Sequence, residues 1–147
     1  MKKQAYQIIA LLVLTVSLAV AAQAQTAGRT QLRATIPFEF NVGEKTMPAG
    51  EYTIVQINPS SDQTVLQLRS NEGRNNAMIQ MHGVIGKAGE KARLVFNRYG
   101  SQYYFSQAWT SADANGWQAP KSKTETLVRQ ELANRKPASE TIALSAR

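Results

Sequence analysis

The segment RLVFNRYGSQYYFSQAW, residues 93–109, carries the strongest fold signal in the sequence. Its two halves, residues 93–98 and 102–109, are rich in apolar and aromatic side chains with the two-residue spacing of half-buried β-strands. Between them lies Tyr99-Gly100-Ser101, and glycine adopts the positive φ values that tight turns require. The segment therefore predicts a β-hairpin and indicates a protein built mainly from antiparallel strands.

Four further strands are predicted upstream of this hairpin, over residues 32–40, 51–57, 64–69 and 77–81. In the first of them, Pro37 lacks the N–H that a central strand donates, so we expect that strand at a sheet edge or beside a bulge. Gly, Pro, Asn and Ser concentrate in residues 41–50, 83–91 and 111–120, which are expected to be connections. The last of these connections contains Trp117.

The spacing changes near the end of the chain. Ser122-Lys123-Thr124-Glu125 is a capping box, in which the first hydroxyl and the last carboxylate accept hydrogen bonds from free N–H groups. We expect a helix over residues 122–134 with Leu127, Val128 and Leu132 on its buried stripe, and a short final strand over residues 141–145. The predicted fold is mainly β: a small antiparallel β-sandwich or barrel with one C-terminal α-helix.

Residues 1–24 have the pattern of a secretory signal peptide. Lys2 and Lys3 precede an apolar stretch over residues 8–20, and Ala22-Gln23-Ala24 is a cleavage site of small residues. The expected organisation is a signal peptide at 1–24, a flexible segment at 25–31 and one β-rich domain at 32–147. We therefore expect export to a periplasmic or extracellular location, with no membrane span in the mature chain.

The residue counts exclude several classes of site. Without cysteine the chain has no disulfide, thiolate metal site, iron–sulfur cluster or thiol nucleophile, and its one histidine, His82, cannot build a histidine-rich metal centre. Met78, Met81 and His82 lie close in sequence, but a strand directs Met81 away from the other two. No G-x-S-x-G motif is present to hold a serine nucleophile. We expect no catalytic residue, no metal and no cofactor.

The charges and the aromatic residues indicate which classes of partner the chain can bind. The formal net charge of +7 falls to +5 when Lys2 and Lys3 are removed, and the remaining basic residues form no run of the kind that binds nucleic acid. The aromatic residues concentrate late in the chain, where they can stack on a sugar or a peptide. The binding candidates are Trp117, Tyr99, Tyr103, Tyr104 and Arg98.

Three motifs carry a resemblance. They are residues 36–43 with residues 47–52 (IPFEFNVG and MPAGEY), residues 94–100 (LVFNRYG) and residues 104–109 (YFSQAW). The chain resembles an uncharacterised family of short exported bacterial β-rich proteins with these motifs. The resemblance implies export and a β-rich fold, and it brings no activity, cofactor or catalytic residue.

Together these observations predict an exported, non-catalytic interaction protein of the envelope or the medium. An envelope glycan or protein is the expected partner. The alternative is a small carbohydrate-active or other hydrolytic envelope enzyme, because ten acidic residues are enough to supply a pair of catalytic carboxylates. Two converging carboxylates in a cleft would favour the enzyme, whereas a continuous exposed apolar patch would favour binding.

Overall fold

The computed structural model describes residues 31–59, 61, 63–132 and 138–143 of the chain. The signal-peptide prediction lies outside these residues, as does the predicted flexible segment except for Gln31, which begins a strand. The described residues form ten strands and one helix. In chain order they are β1 Gln31–Ile36, β2 Phe40–Val42, β3 Lys45–Met47, β4 Gly50–Gln56, β5 Thr64–Ser70, β6 Asn76–Ile85, β7 Arg93–Tyr99, β8 Gln102–Trp109, β9 Asn115–Gln118, α1 Lys123–Glu131 and β10 Ala138–Ala143.

The strands form one open sheet in which nearly all neighbours are antiparallel. Their order is β1, β4, β5, β6, β9, β8, β2, β3, and β8 also pairs with β7, which pairs with β10. β6 joins two parts of this sheet, because its residues 76–81 pair with β5 and its residues 82–85 pair with β9. The mainly β fold with one helix near the C-terminus is therefore confirmed for the described residues.

One hydrophobic core lies against one side of the sheet, called here the inner face. Phe96 is fully buried in it, and its ring packs edge-on against Phe38 and Phe40 with centroids 5.3 and 5.4 Å apart. A register shift opposite Val95 and Phe96 inserts one extra residue in β8. The buried residues of this core are Ala34, Ile36, Phe40, Val42, Met47, Tyr52, Ile54, Leu66, Leu68, Ala77, Ile79, Met81, Leu94, Phe96, Phe105, Ala108 and Ala119.

Three connections differ from the sequence prediction. The predicted strand over residues 32–40 is two strands, because the chain leaves the sheet at Pro37, which offers no N–H. The predicted connection 41–50 contains the β2–β3 hairpin, which turns at Gly43 with φ 62°. The predicted loop 111–120 contains β9, and β6 continues to Ile85 inside the predicted loop 83–91.

The helix is shorter than predicted and buries a different face. It spans Lys123–Glu131, and the Ser122 hydroxyl accepts from the Glu125 N–H at 3.0 Å, as the capping box predicts. Of the predicted apolar stripe, Val128 and Leu132 are half-buried, but the prediction is wrong for Leu127, which is 59% exposed, whereas Glu125 is only 3% exposed. The final strand, β10, lies earlier than predicted and pairs with β7. No helix among the described residues has the length and apolar character needed to cross a membrane.

Candidate functional site

The five predicted binding residues do not form one surface. Tyr99 and Tyr104 point away from the core, onto what is called here the outer face, and they are 4% and 2% exposed. Their rings pack against each other with centroids 5.8 Å apart. The Tyr99 hydroxyl donates to the buried Glu125 carboxylate of α1 at 3.1 Å. These two rings are therefore covered and offer no stacking surface in this structure.

Tyr103 and Arg98 lie on the opposite side of the sheet from Tyr104, since neighbouring residues of a strand face opposite ways. The ring of Phe38 stacks on Tyr103 with centroids 3.9 Å apart. The guanidinium carbon of Arg98 lies over the same ring at 5.5 Å, and its Nε donates to the Gly100 carbonyl at 2.9 Å. Tyr103 is thus already engaged by its own chain.

Trp117 was expected in a loop, and that expectation is wrong. It lies in β9, opposite Gly83 of β6 and Ala108 of β8. Its half-buried side chain packs against the core. The sequence suggested a loop because Asn115 and Gly116 are poor strand formers, but pairing on both sides overrides that preference. Trp117 is therefore a partly buried strand residue and not an exposed loop residue.

Polar contacts hold α1 on the outer face. The Glu125 carboxylate accepts from Asn97 Nδ2 at 2.8 Å as well as from Tyr99. In the β2–β3 turn, the Glu44 carboxylate accepts from the Lys123 N–H at 2.6 Å and from the Thr124 hydroxyl. Hydrogen bonds from Thr124 and from the Lys123 N–H lower the pKa of Glu44. The start of the helix is therefore fixed by two carboxylates.

Alkaline conditions should weaken this attachment. Burial, followed by the neighbouring Glu125 charge, raises the pKa of Tyr99 from 10.0 to about 12. Above pH 10 the unfolded chain releases the Tyr99 proton before the folded chain does. The contribution of Tyr99 to the free energy of unfolding is therefore fully present below pH 10 and is lost as the pH rises toward 12. We expect a loss of about 2 kcal/mol from this group. Urea unfolding across this pH range should show the loss. The free energy of unfolding should decrease less with pH in Tyr99→Phe than in the wild type. An equal decrease in both proteins would contradict the assignment of this loss to Tyr99.

An exposed apolar surface lies on the outer face of β4, β5 and β6. Val55 and Met78 stand in one cross-strand row with Gln67 between them. In the next row the Ile57 N–H donates to the Val65 carbonyl at 3.0 Å. Met78 is 60% and Ile57 36% exposed, while the two valines are half-buried. We call Val55, Ile57, Val65 and Met78 the β4–β6 patch.

Polar side chains surround the β4–β6 patch. Gln31 and Gln80 occupy the ends of its two rows, opposite Val55 and Val65 respectively. Arg33 and Arg69 lie in the adjacent row, both opposite Thr53 of β4. The patch therefore has an apolar centre, amide groups at its ends and two guanidinium groups along one side.

A groove of about 320 Å³ lies at the start of β4, between the turn that precedes β4 and the turn that follows β5. Its lining residues include two glutamates, Glu51 and Glu72, and two apolar residues, Pro48 and Ala49. Five residues of the MPAGEY motif, 48–52, thus line a cavity, where the sequence predicted the end of a connection and the start of a strand. The groove is the second candidate site.

Strand β6 separates the methionines and the histidine that lie close in sequence. Met81 is buried in the core, whereas Met78 and His82 are exposed on the outer face, as the strand alternation predicts. Within the part of the chain that the structure describes, no group of three or more His, Asp or Glu side chains is arranged to hold a metal ion.

Sequence reasoning missed both candidate sites for a shared reason. β4 carries apolar residues at both strand parities, Tyr52 and Ile54 inward and Val55 outward. That double pattern was a usable signal of an apolar outer face, but only the pairing with β5 and β6 shows that Val65 and Met78 continue it. The groove needs the same register, because it joins two turns that are distant in sequence. No protein-family model, curated protein or solved structure matches the chain.

Proposed function

We propose that the chain is an exported, non-catalytic interaction protein that binds a partner protein through the β4–β6 patch. The observation that supports this proposal is the group of apolar side chains, Val55, Ile57, Val65 and Met78, that three paired strands place around Gln67 on the outer face. Burying one large aliphatic side chain contributes about 1.5–3 kcal/mol, so covering Met78 and Ile57 offers a substantial driving force.

The surroundings of the patch define the chemistry of that partner. Arg33 and Arg69 carry positive charge along one side of the apolar residues. A complementary surface is apolar at its centre and has carboxylates where it meets the two guanidinium groups, which accept paired hydrogen bonds well. We therefore propose an acidic protein surface as the occupant, in preference to a second, equally basic copy of this chain.

An aspartate at Met78 should abolish partner binding. The experiment cross-links the tagged protein in its own envelope fraction and compares Met78→Asp with Leu127→Asp, which adds the same charge at a side chain on α1 of nearly equal exposure, 59% against 60%. We expect the adduct with the wild type and with Leu127→Asp but not with Met78→Asp, because a carboxylate on the patch must be desolvated and faces an acidic partner.

The outcome discriminates between occupants. An acidic partner is supported if Arg69→Gln reduces the yield of the adduct. It is supported further if salt reduces the yield more in the wild type than in Arg69→Gln. An adduct with the mass of two copies of the chain would instead identify self-association and overturn the proposal. So would equal binding by Met78→Asp and Leu127→Asp.

The alternative of a hydrolytic envelope enzyme draws on the groove, where Glu51 and Glu72 line one cavity. It requires that the purified protein release products from peptidoglycan or polysaccharide, and that Glu51→Gln or Glu72→Gln remove this activity. We expect no release, because the Glu51 carboxylate already accepts a hydrogen bond from Asn71 Nδ2 at 3.0 Å, which favours a fixed binding role.

A further inference from the structure

The groove at the start of β4 has two unlike walls. Pro48 and Ala49 supply an apolar wall, and the Tyr52 hydroxyl fixes the turn by donating to the Pro48 carbonyl at 2.6 Å. The other wall comes from the turn after β5 and is polar. It consists of Ser70, Asn71, Glu72 and Asn75. A ligand that fits both walls is itself amphipathic.

A short hydrogen-bond chain orients the Glu51 carboxylate at this groove. The hydroxyl of the buried Thr53 donates to Asn71 Oδ1 at 3.0 Å, and Asn71 Nδ2 donates to Glu51 Oε2 at 3.0 Å. The Asn71 N–H also donates to the Glu51 carbonyl at 3.0 Å. These bonds hold one carboxylate oxygen, and an ionised carboxylate has further lone pairs with which to accept from a ligand.

The electrostatic environment of the groove differs from that of the whole chain. The chain has a formal net charge of +7, yet the residues that line this cavity include two glutamates, Glu51 and Glu72, and no basic residue. Burial and then the charge of Glu72 raise the pKa of Tyr52, so the negative charge acts on the groove wall. The groove is accordingly suited to a cation.

We propose that this groove binds a primary ammonium group carried on a short alkyl chain. The alkyl stem lies along Pro48 and Ala49, and the ammonium donates its hydrogen bonds to the carboxylates of Glu51 and Glu72. A volume of about 320 Å³ accommodates a lysine side chain or a small diamine. This inference goes beyond the proposed function, because it concerns a small cationic ligand and none of its contact residues belongs to the β4–β6 patch.

Titration of the isotope-labelled protein with cadaverine, followed by backbone amide NMR shifts, tests this proposal. We expect saturable shifts at Asn71 and Gly73. Each of Glu51→Gln and Glu72→Gln should weaken binding about fivefold, the equivalent of roughly 1 kcal/mol for a partly exposed charge pair. Glu131→Gln, which removes a charge from the exposed end of α1, should leave the affinity unchanged.

Two further ligands separate charge from shape. Pentane-1,5-diol has the length of cadaverine without its charge, so it should cause no saturable shift at the groove. Binding of the diol as tight as that of cadaverine would overturn the proposal, as would unchanged cadaverine affinity in Glu72→Gln. Tighter binding of calcium chloride than of cadaverine, lost in both glutamine variants, would replace it with a divalent-cation site. Glu72 lies in an exposed turn, so Glu72→Gln should fold. Its affinity for cadaverine therefore tests the proposal even if Glu51→Gln does not fold.

Discussion

Replacing Gly116 with alanine should destabilise the fold by about 3 kcal/mol, at the upper end of the range for overpacking. A Cβ at Gly116 would lie 2.4 Å from Cε3 and 2.6 Å from Cδ2 of Trp109. The indole has little freedom to move away, because a Cβ at Gly86 would also lie 2.5 Å from its Cη2. The guanidinium carbon of Arg93 lies over the same ring at 4.8 Å. The cost therefore comes from displacing a ring that is held on several sides.

The neighbouring Gly83 provides the matched control. It lies in β6, which pairs with β9 beside Gly116, and a Cβ built there meets no atom within 4 Å. Gly83→Ala should therefore be neutral or slightly stabilising, since it only reduces the freedom of the unfolded chain. Urea unfolding of both variants measures the difference. Equal midpoints for the two alanine variants would contradict the packing argument.

A second comparison assigns the effect to Trp109 itself. Trp109→Ala removes all the ring atoms that the new Cβ would meet, although it loses the contacts of the ring and the indole hydrogen bond to Gln107 Oε1 at 3.1 Å. Combining it with Gly116→Ala should cost less than the sum of the two single changes, because the clash is absent from the double variant. Strict additivity would show that Gly116 matters for another reason.

The sequence predicted the strands whose residues alternate cleanly. Leu66 and Leu68 of β5 are buried with Arg69 exposed, and the 93–109 segment forms the hairpin β7–β8. Such strands bury one face, so the pattern alone specifies both their type and their orientation. β9 was not predicted, because its residues do not show such an alternation. It contains four residues, includes Gly116, and becomes a strand through its pairing with β6 and β8, which no local pattern records.

The binding surfaces were less predictable than the strands. Adjacent residues of a strand face opposite ways, so Tyr103 and Tyr104 could never share one surface, and the sequence itself contained that information. The β4–β6 patch required more, because only the register of three strands places Val55 and Met78 in one row, on either side of Gln67. Which aromatic residues are covered also depends on α1, whose position follows from the tertiary contacts of Glu125.

Glu125→Ala should destabilise the protein by about 3 kcal/mol, although the residue lies on a helix that is otherwise largely exposed. The Glu125 side chain is 3% exposed and accepts hydrogen bonds from Asn97 Nδ2 and the Tyr99 hydroxyl through the same oxygen, Oε1. Removing the carboxylate leaves two donors beneath α1 without this acceptor, and each buried unsatisfied group costs about 1–3 kcal/mol. Thermal or urea unfolding measures the loss.

The sequence assigned Glu125 a different role. As the last residue of a capping box, it was expected to return its carboxylate to the start of the helix, a contact whose loss costs only about 1 kcal/mol. The structure retains one half of that box, the bond from the Glu125 N–H to the Ser122 hydroxyl. The carboxylate instead joins the helix to β7. The size of the destabilisation therefore separates a local cap from a tertiary attachment.

Three variants complete this test. Glu131→Ala removes an exposed carboxylate from the same helix and should change the stability by less than about 0.5 kcal/mol. Glu125→Gln keeps an acceptor oxygen for both donors but replaces Oε2 with an N–H₂ group and removes the negative charge, so its cost should fall between the two alanine variants. Tyr99→Phe removes one donor, and combining it with Glu125→Ala should cost less than the sum of both changes, because one unsatisfied group has disappeared. If Glu125→Ala proved as harmless as Glu131→Ala, the carboxylate would not attach α1 to the sheet, and the burial of Tyr99 would need another cause.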